Sequence, residues 1–140
     1  KDQPMSGAVM SEFPTTMAAA NAARDAGLLV AGGAPNLVRG GSHSGNAAVA
    51  DMARAGALDA ICSDYVPAAM LAAAFRLTAP DIGWSLPRAI ATVSLGPARA
   101  AKLDDRGALA VGLAADMARA RMVDGRPHVV AVWRGGRRVA

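Results

Sequence analysis

Residues 7–65 read GAVMSEFPTTMAAANAARDAGLLVAGGAPNLVRGGSHSGNAAVADMARAGALDAICSDY, and the fold class rests on their alternation. Gly7–Ser11 reads as a short strand. FPTT follows, then the alanine-rich run MAAANAARDAG, which predicts a helix with a threonine near its N-cap and Gly27 as its stop. Leu28–Gly32 is the next strand, apolar throughout as in a sheet covered on both faces. A glycine-rich loop spans Gly33 to about Ser44, and a helix from about Gly45 to Ala55 is closed by Gly56. Asp59–Ser63 is the third strand and Pro67–Leu77 the third helix. Strands joined by crossovers of this size predict a parallel sheet in an α/β fold. Periodicity alone does not separate an open doubly wound sheet from part of a barrel.

Beyond Leu77 the pattern changes. Ser85 is a plausible N-cap for LPRAIATVSLG, and PARAAKL predicts another short helix. From Leu103 the chain is punctuated by glycine and aspartate. ADMARARMV, the turn DGRP, HVVAVWRGG and RRVA read as short antiparallel strands. A boundary near residue 102 is expected.

The candidate chemistry gathers at strand ends. Glu12 follows the first strand, Asn36 to His43 the second and Asp64 the third, and the C-terminal strand ends are where both α/β architectures put their sites. Asp64 suits a general base or metal ligand, although an aspartate there also suits a helix cap. In GAPNLVRGGSHSGN (residues 33–46) the glycines permit close approach of a ligand, Arg39 offers a planar donor fork and Ser44–Asn46 open a helix. The segment matches neither the phosphate-loop nor the dinucleotide pattern, so a plain flexible connection stays open. His43 reads equally as a hydrogen-bonding surface residue. Glu12 is as easily a solvated strand end, and His128 reads as structural or exposed. A metal site is incomplete, because catalytic zinc usually takes three protein ligands and this region offers Asp64 and at most His43.

Composition narrows the classes. The chain has 140 residues, is 53% hydrophobic with mean hydropathy +0.25, and is too apolar for a disordered segment. No apolar run approaches the roughly 20 residues of a membrane span, so no membrane association is expected. The pI of 10.2 comes from the tail: Arg119, Arg121, Arg126, Arg134, Arg137 and Arg138 face one aspartate after residue 118. Only Trp133 accompanies them as a stacking platform, which argues against nucleic-acid binding. The single Cys62 reads as a buried inert thiol, compatible with a reducing cytoplasm. A start without methionine suggests a fragment.

Several segments resemble a known family. PARAAKLDDRGALAVGLAADM (97–117) is similar to the passage where amidohydrolase-type enzymes leave their barrel for a small β subdomain, and HVVAVWRGGRRVA to the closing strands of that subdomain. Val111–Leu113 and Met117–Ala118 depart from the usual pattern of a Pro-Gly-Lys type turn and a more apolar strand. SEFPTT (11–16), GAPNLVRGGSHSGN (33–46) and SDYVPAAML (63–71) together resemble the diphosphatase group of phosphonate breakdown within that superfamily.

The resemblance implies the last three strand–helix units of a (β/α)8 barrel over residues 1–102 and part of a small β-sandwich subdomain over 103–140. It implies Asp64 as the aspartate that contacts a divalent metal of zinc or manganese type and takes a proton from the attacking water. It also implies Asn36, Arg39, Ser42 and His43 as a seat for substrate phosphates. The implied reaction is hydrolysis of a phosphorylated ribose phosphonate, its 5-triphosphate giving 5-phosphate and pyrophosphate, in the cytoplasm. A homo-oligomer is one of the states open to the whole enzyme, and the sequence does not fix it. The chain alone is expected to be inactive, metal-poor and prone to self-association through an unpaired sheet edge. The competing readings are a hydrolase of cyclic amide C–N bonds, a non-catalytic phosphate-binding module, and one half of a split barrel.

Overall fold

The computed structural model describes residues 7–41 and 45–140. It contains two separate three-stranded sheets, one parallel and one antiparallel. The parallel sheet has the order β1 (Met10–Glu12), β2 (Leu29–Gly33), β3 (Ala60–Cys62). Glu12 pairs with Ala31, and Gly33 with Cys62, so the C-terminal ends of the strands lie side by side. β1 runs later than the expected Gly7–Ser11, which makes Glu12 its last residue rather than its successor.

The connection from β1 is α1 (Met17–Asp25), as the alanine-rich run requires. Thr16 Oγ1 accepts a hydrogen bond from the Ala19 N–H at 3.1 Å, satisfying one of the amides left over at a helix start. Gly27, at φ +77°, turns the chain out of the helix. Ala20 and Ala23 are the buried positions of α1, small enough to let the helix lie close on the sheet.

The glycine-rich connection after β2 is not all loop. It opens with α2 (Ala34–Arg39), and α3 (Val49–Arg54) starts later than the expected Gly45. Pro35 sits in the first turn of α2, where its fixed φ suits a helix and its missing N–H costs nothing. Leu37, 1% exposed, drops into the core, and burying such a side chain contributes about 2 kcal/mol. Gly40, at φ +85°, ends the helix. Six residues between glycines look like a loop locally, and tertiary burial of Leu37 makes them a helix.

After β3 come α4 (Ala69–Arg76), α5 (Leu86–Ala91) and α6 (Leu95–Ala100). Ser85 stands at the N-cap of α5 but makes no side-chain cap bond. Val30, Leu37, Met52 and Leu77 are the largest fully buried side chains, set among alanines of α1, α3, α4 and α5. Trp84 closes the core, its Nε1–H donating to the Ala53 carbonyl at 3.2 Å. Outside, Asp81 accepts from Arg76 at 2.7 and 2.8 Å and from Arg54 at 2.9 Å, tying α3 and α4 to the loop before α5. The Arg76 hydrogen bonds hold the Asp81 carboxyl at about 2, below its ordinary 3.8.

The antiparallel sheet is β4 (Met117–Val123), β5 (Arg126–Arg134) and β6 (Arg137–Arg138). Asp124–Gly125 and Gly135–Gly136 each join two strands as a two-residue loop with both residues at positive φ, the turn that matches strand twist. Pro127 is tolerated because β6 reaches only Trp133 and Arg134 of β5, leaving the edge beside Pro127 unpaired in this sheet. No helix among the described residues is long and apolar enough to cross a membrane.

Candidate functional site at the strand C-termini

Asp64 lies two residues past β3, with its backbone at φ +53°. Aspartate is one of the few side chains that occupies this left-handed region readily. Phe13, just past β1, also has positive φ, at +52°. The two flank Gly33, the last residue of β2. A Cβ on Gly33 would stand 3.3 Å from Phe13 Cε1 and 3.5 Å from Asp64 Oδ2. The missing side chain therefore lets a ring and a carboxylate approach the end of the central strand. Strained backbone clustered in one place is characteristic of sites where geometry serves chemistry.

A cleft of about 260 Å³ opens here, lined by Phe13, Gly33, Asn36, Arg39, Asp64 and Tyr65 among others. Three of the expected residues thus come together. Arg39, in the last turn of α2, holds its guanidinium carbon 5.7 Å from the centroid of the Tyr65 ring, within cation–π range. Asn36 has a structural task as well: its Oδ1 accepts the Val49 N–H at 3.0 Å, satisfying a free amide at the start of α3. Its carboxamide NH2 donates to no acceptor among the described residues. Ser42 and His43 lie outside the described residues.

Glu12 does not join this cleft. It lines a different hollow of about 410 Å³ with Met10, Ala31, Ala60 and Cys62. Cys62 is half-buried rather than fully enclosed. His128 is exposed in β5, paired with Arg121 across the sheet. Phe13 and Tyr65 are wall residues that sequence reasoning did not single out. Tyr65 carried the only local signal, by adjoining Asp64. Phe13 precedes a proline, which disfavours helical backbone before it but does not announce a positive φ.

Arg39 and Asp64 give the cleft one cation and one carboxylate. Among the described residues no three histidine, cysteine or acidic side chains stand close enough to hold a metal ion. Asp64 is the single carboxylate of this cleft, and these residues by themselves do not fit a three-ligand catalytic centre.

Over 134 residues the chain is 48% identical to an alpha-D-ribose 1-methylphosphonate 5-triphosphate diphosphatase of Escherichia coli (strain K12), a match covering 95% of this chain and 35% of that protein. The chain spans about a third of the length of that curated relative. No solved structure matches. The family model described as "Amidohydrolase family" matches residues 9–140, from β1 to the chain's last residue, and enzymes of that family generally use divalent metals. With nearly every described residue inside that match, the chain belongs to the amidohydrolase family.

Proposed function

We propose that the protein carrying this chain hydrolyses alpha-D-ribose 1-methylphosphonate 5-triphosphate to the 5-phosphate and pyrophosphate. The observation that carries the reading is the shared cleft of Asp64, Arg39 and Asn36 in a chain 48% identical to a diphosphatase of that substrate. In the reaction a water oxygen bonds to phosphorus, the anhydride between the first and second phosphates breaks, and pyrophosphate leaves. Asp64 takes the proton of the water as it attacks. The planar Arg39 guanidinium offers two parallel N–H donors to two oxygens of a phosphate, and Tyr65 limits where it can lie. The Asn36 NH2, with Ser42 and His43, completes the seat for the polyphosphate. Asp64 would also give one ligand to a divalent ion of zinc or manganese type, with the other ligands supplied from outside the described residues.

In this reading residues 1–102 are the last three strand–helix units of a (β/α)8 barrel, and 103–140 belong to a small β-sandwich subdomain. The parallel order β1-β2-β3, with the cleft at its C-terminal edge, supports that placement, because barrel enzymes carry their sites there. The lone Cys62 suits a reducing compartment, and the reading puts the enzyme in the cytoplasm. Pyrophosphate release by the whole protein, with and without Asp64→Asn, tests the proposal. The variant should lose roughly 10²–10⁴-fold in kcat. Absence of pyrophosphate release from the unaltered protein, or an undiminished rate in the variant, refutes it.

A further inference from the structure

At the other end of the parallel sheet, a second cleft of about 240 Å³ opens beside Leu29, the first residue of β2, and Asp59, just before β3. Arg24, Arg88 and Arg99 line it, with Asp59 as its single carboxylate. That carboxylate is already engaged. One oxygen accepts the Val30 N–H at 2.9 Å, and the other lies 3.8 Å from Arg24. Arg24 in turn donates to the Gly56 carbonyl.

Arg88 is held differently. Its guanidinium carbon lies 3.7 Å from the centroid of the Trp84 ring. That ring is buried and fixed by its bond to the Ala53 carbonyl, so the stacked fork is oriented in advance. Arg88 Nη2 stands 3.9 Å from where a Cβ on Gly56 would be, so two guanidiniums converge on one glycine. Among the described residues neither Arg88 nor Arg99 has a carboxylate within salt-bridge distance.

Like charges converging on a small concavity without counterions of their own create a field that an anion relieves. We propose that this cleft binds a small phosphate oxyanion, orthophosphate or pyrophosphate, with Arg88 and Arg99 as its principal donors. Guanidinium forks pair with phosphate oxygens two at a time, and the volume accommodates one such ion but no polymer strand. The site lies across the sheet from Asp64 and does not rest on the hydrolytic reading.

Isothermal titration of the whole protein with orthophosphate, and separately with pyrophosphate, tests the proposal and tells the two ligands apart. Arg39→Ala weakens the contribution of the Asp64 cleft. One of the two anions should still bind that variant, and Arg88→Gln with Arg99→Gln should weaken this binding at least tenfold. Far-UV circular dichroism checks that the double variant is folded. If it is not, Arg99→Gln alone and Arg88→Lys decide, each expected to weaken binding because a lost fork is not replaced by charge alone. Absence of binding to the Arg39→Ala protein, or unchanged affinity in the folded Arg88 and Arg99 variants, overturns the proposal.

Discussion

The central strands of the two sheets make an instructive pair. β2 has five residues and β5 has nine, yet β2 is buried from Val30 to Gly33 while β5 buries only Ala131. Pairing is not what separates them, because β5 is hydrogen-bonded along its length to β4 and again to β6 at its end. The difference is cover. Helices α1 to α5 contribute to the core packed on the parallel sheet, whereas Val129 on β5 remains 52% exposed. Strand pairing sets register, and burial against another layer supplies most of the stability.

The largest expected effect breaks this comparison directly. Leu37→Ala removes a side chain with 1% exposure from the core that covers the parallel sheet and should cost about 2–5 kcal/mol. Val129→Ala, half-exposed on β5, should cost less than about 0.5 kcal/mol. Urea denaturation of the whole protein measures both. Equal costs would mean that Val129 is covered in the whole protein by something outside these residues.

Asp64 sharpens the comparison from the side of function. Its φ of +53° is held at the end of the covered sheet, beside the open space that Gly33 leaves. Asp64→Gly should relieve the left-handed backbone and stabilise the protein by up to about 1 kcal/mol while abolishing hydrolysis. A rise in thermal midpoint with loss of activity is the expected pair of results. Loss of both would show that the carboxylate also holds the loop.

The uncovered sheet depends more on polar clasps. Asp116 Oδ1 accepts the Gly135 N–H at 2.8 Å, and its Oδ2 lies 3.2 Å from Arg106. Asp116→Ala should cost about 0.5–1.5 kcal/mol. It should also speed amide exchange around Gly135 without changing exchange in β2. Equal acceleration in β2 would show that the two sheets open together.

These contrasts also explain what was readable in advance. α1 was legible because Thr16, the alanine run and Gly27 are local signals that agree with one another. The parallel pairing of β1, β2 and β3 followed from the lengths of their connections. α2 was not legible, because Leu37 becomes helical through burial against residues far along the chain. The pairing of Asn36 with the Val49 N–H is likewise a contact across 13 positions. Asp64, Asn36 and Arg39 could be nominated from their places after strands. Their shared cleft needed the geometry of Gly33, and no periodicity encodes a missing side chain.

The smallest effect expected is electrostatic, because the Arg54–Asp81–Arg76 trio is exposed and therefore screened by solvent and salt. Asp81 has a folded-state pKa of about 2 against an ordinary 3.8, owing first to the Arg76 hydrogen bonds. A depressed carboxyl stabilises the fold when ionised. Its contribution is fully present above the unfolded value and is lost as pH falls through the folded one. Stability measured by urea denaturation should therefore decline between about pH 4 and pH 2, and Asp81→Asn should flatten that part of the curve. Asp105 is also lowered, first by its hydrogen bond with Arg106, but the two are neighbours in sequence and join no distant elements. Asp105→Asn should consequently alter the acid limb less than Asp81→Asn, since only the Asp81 trio bridges elements that cover the parallel sheet. The reverse ranking would place acid sensitivity in the segment leading to the antiparallel sheet and would make that region, despite its thin core, the first to yield.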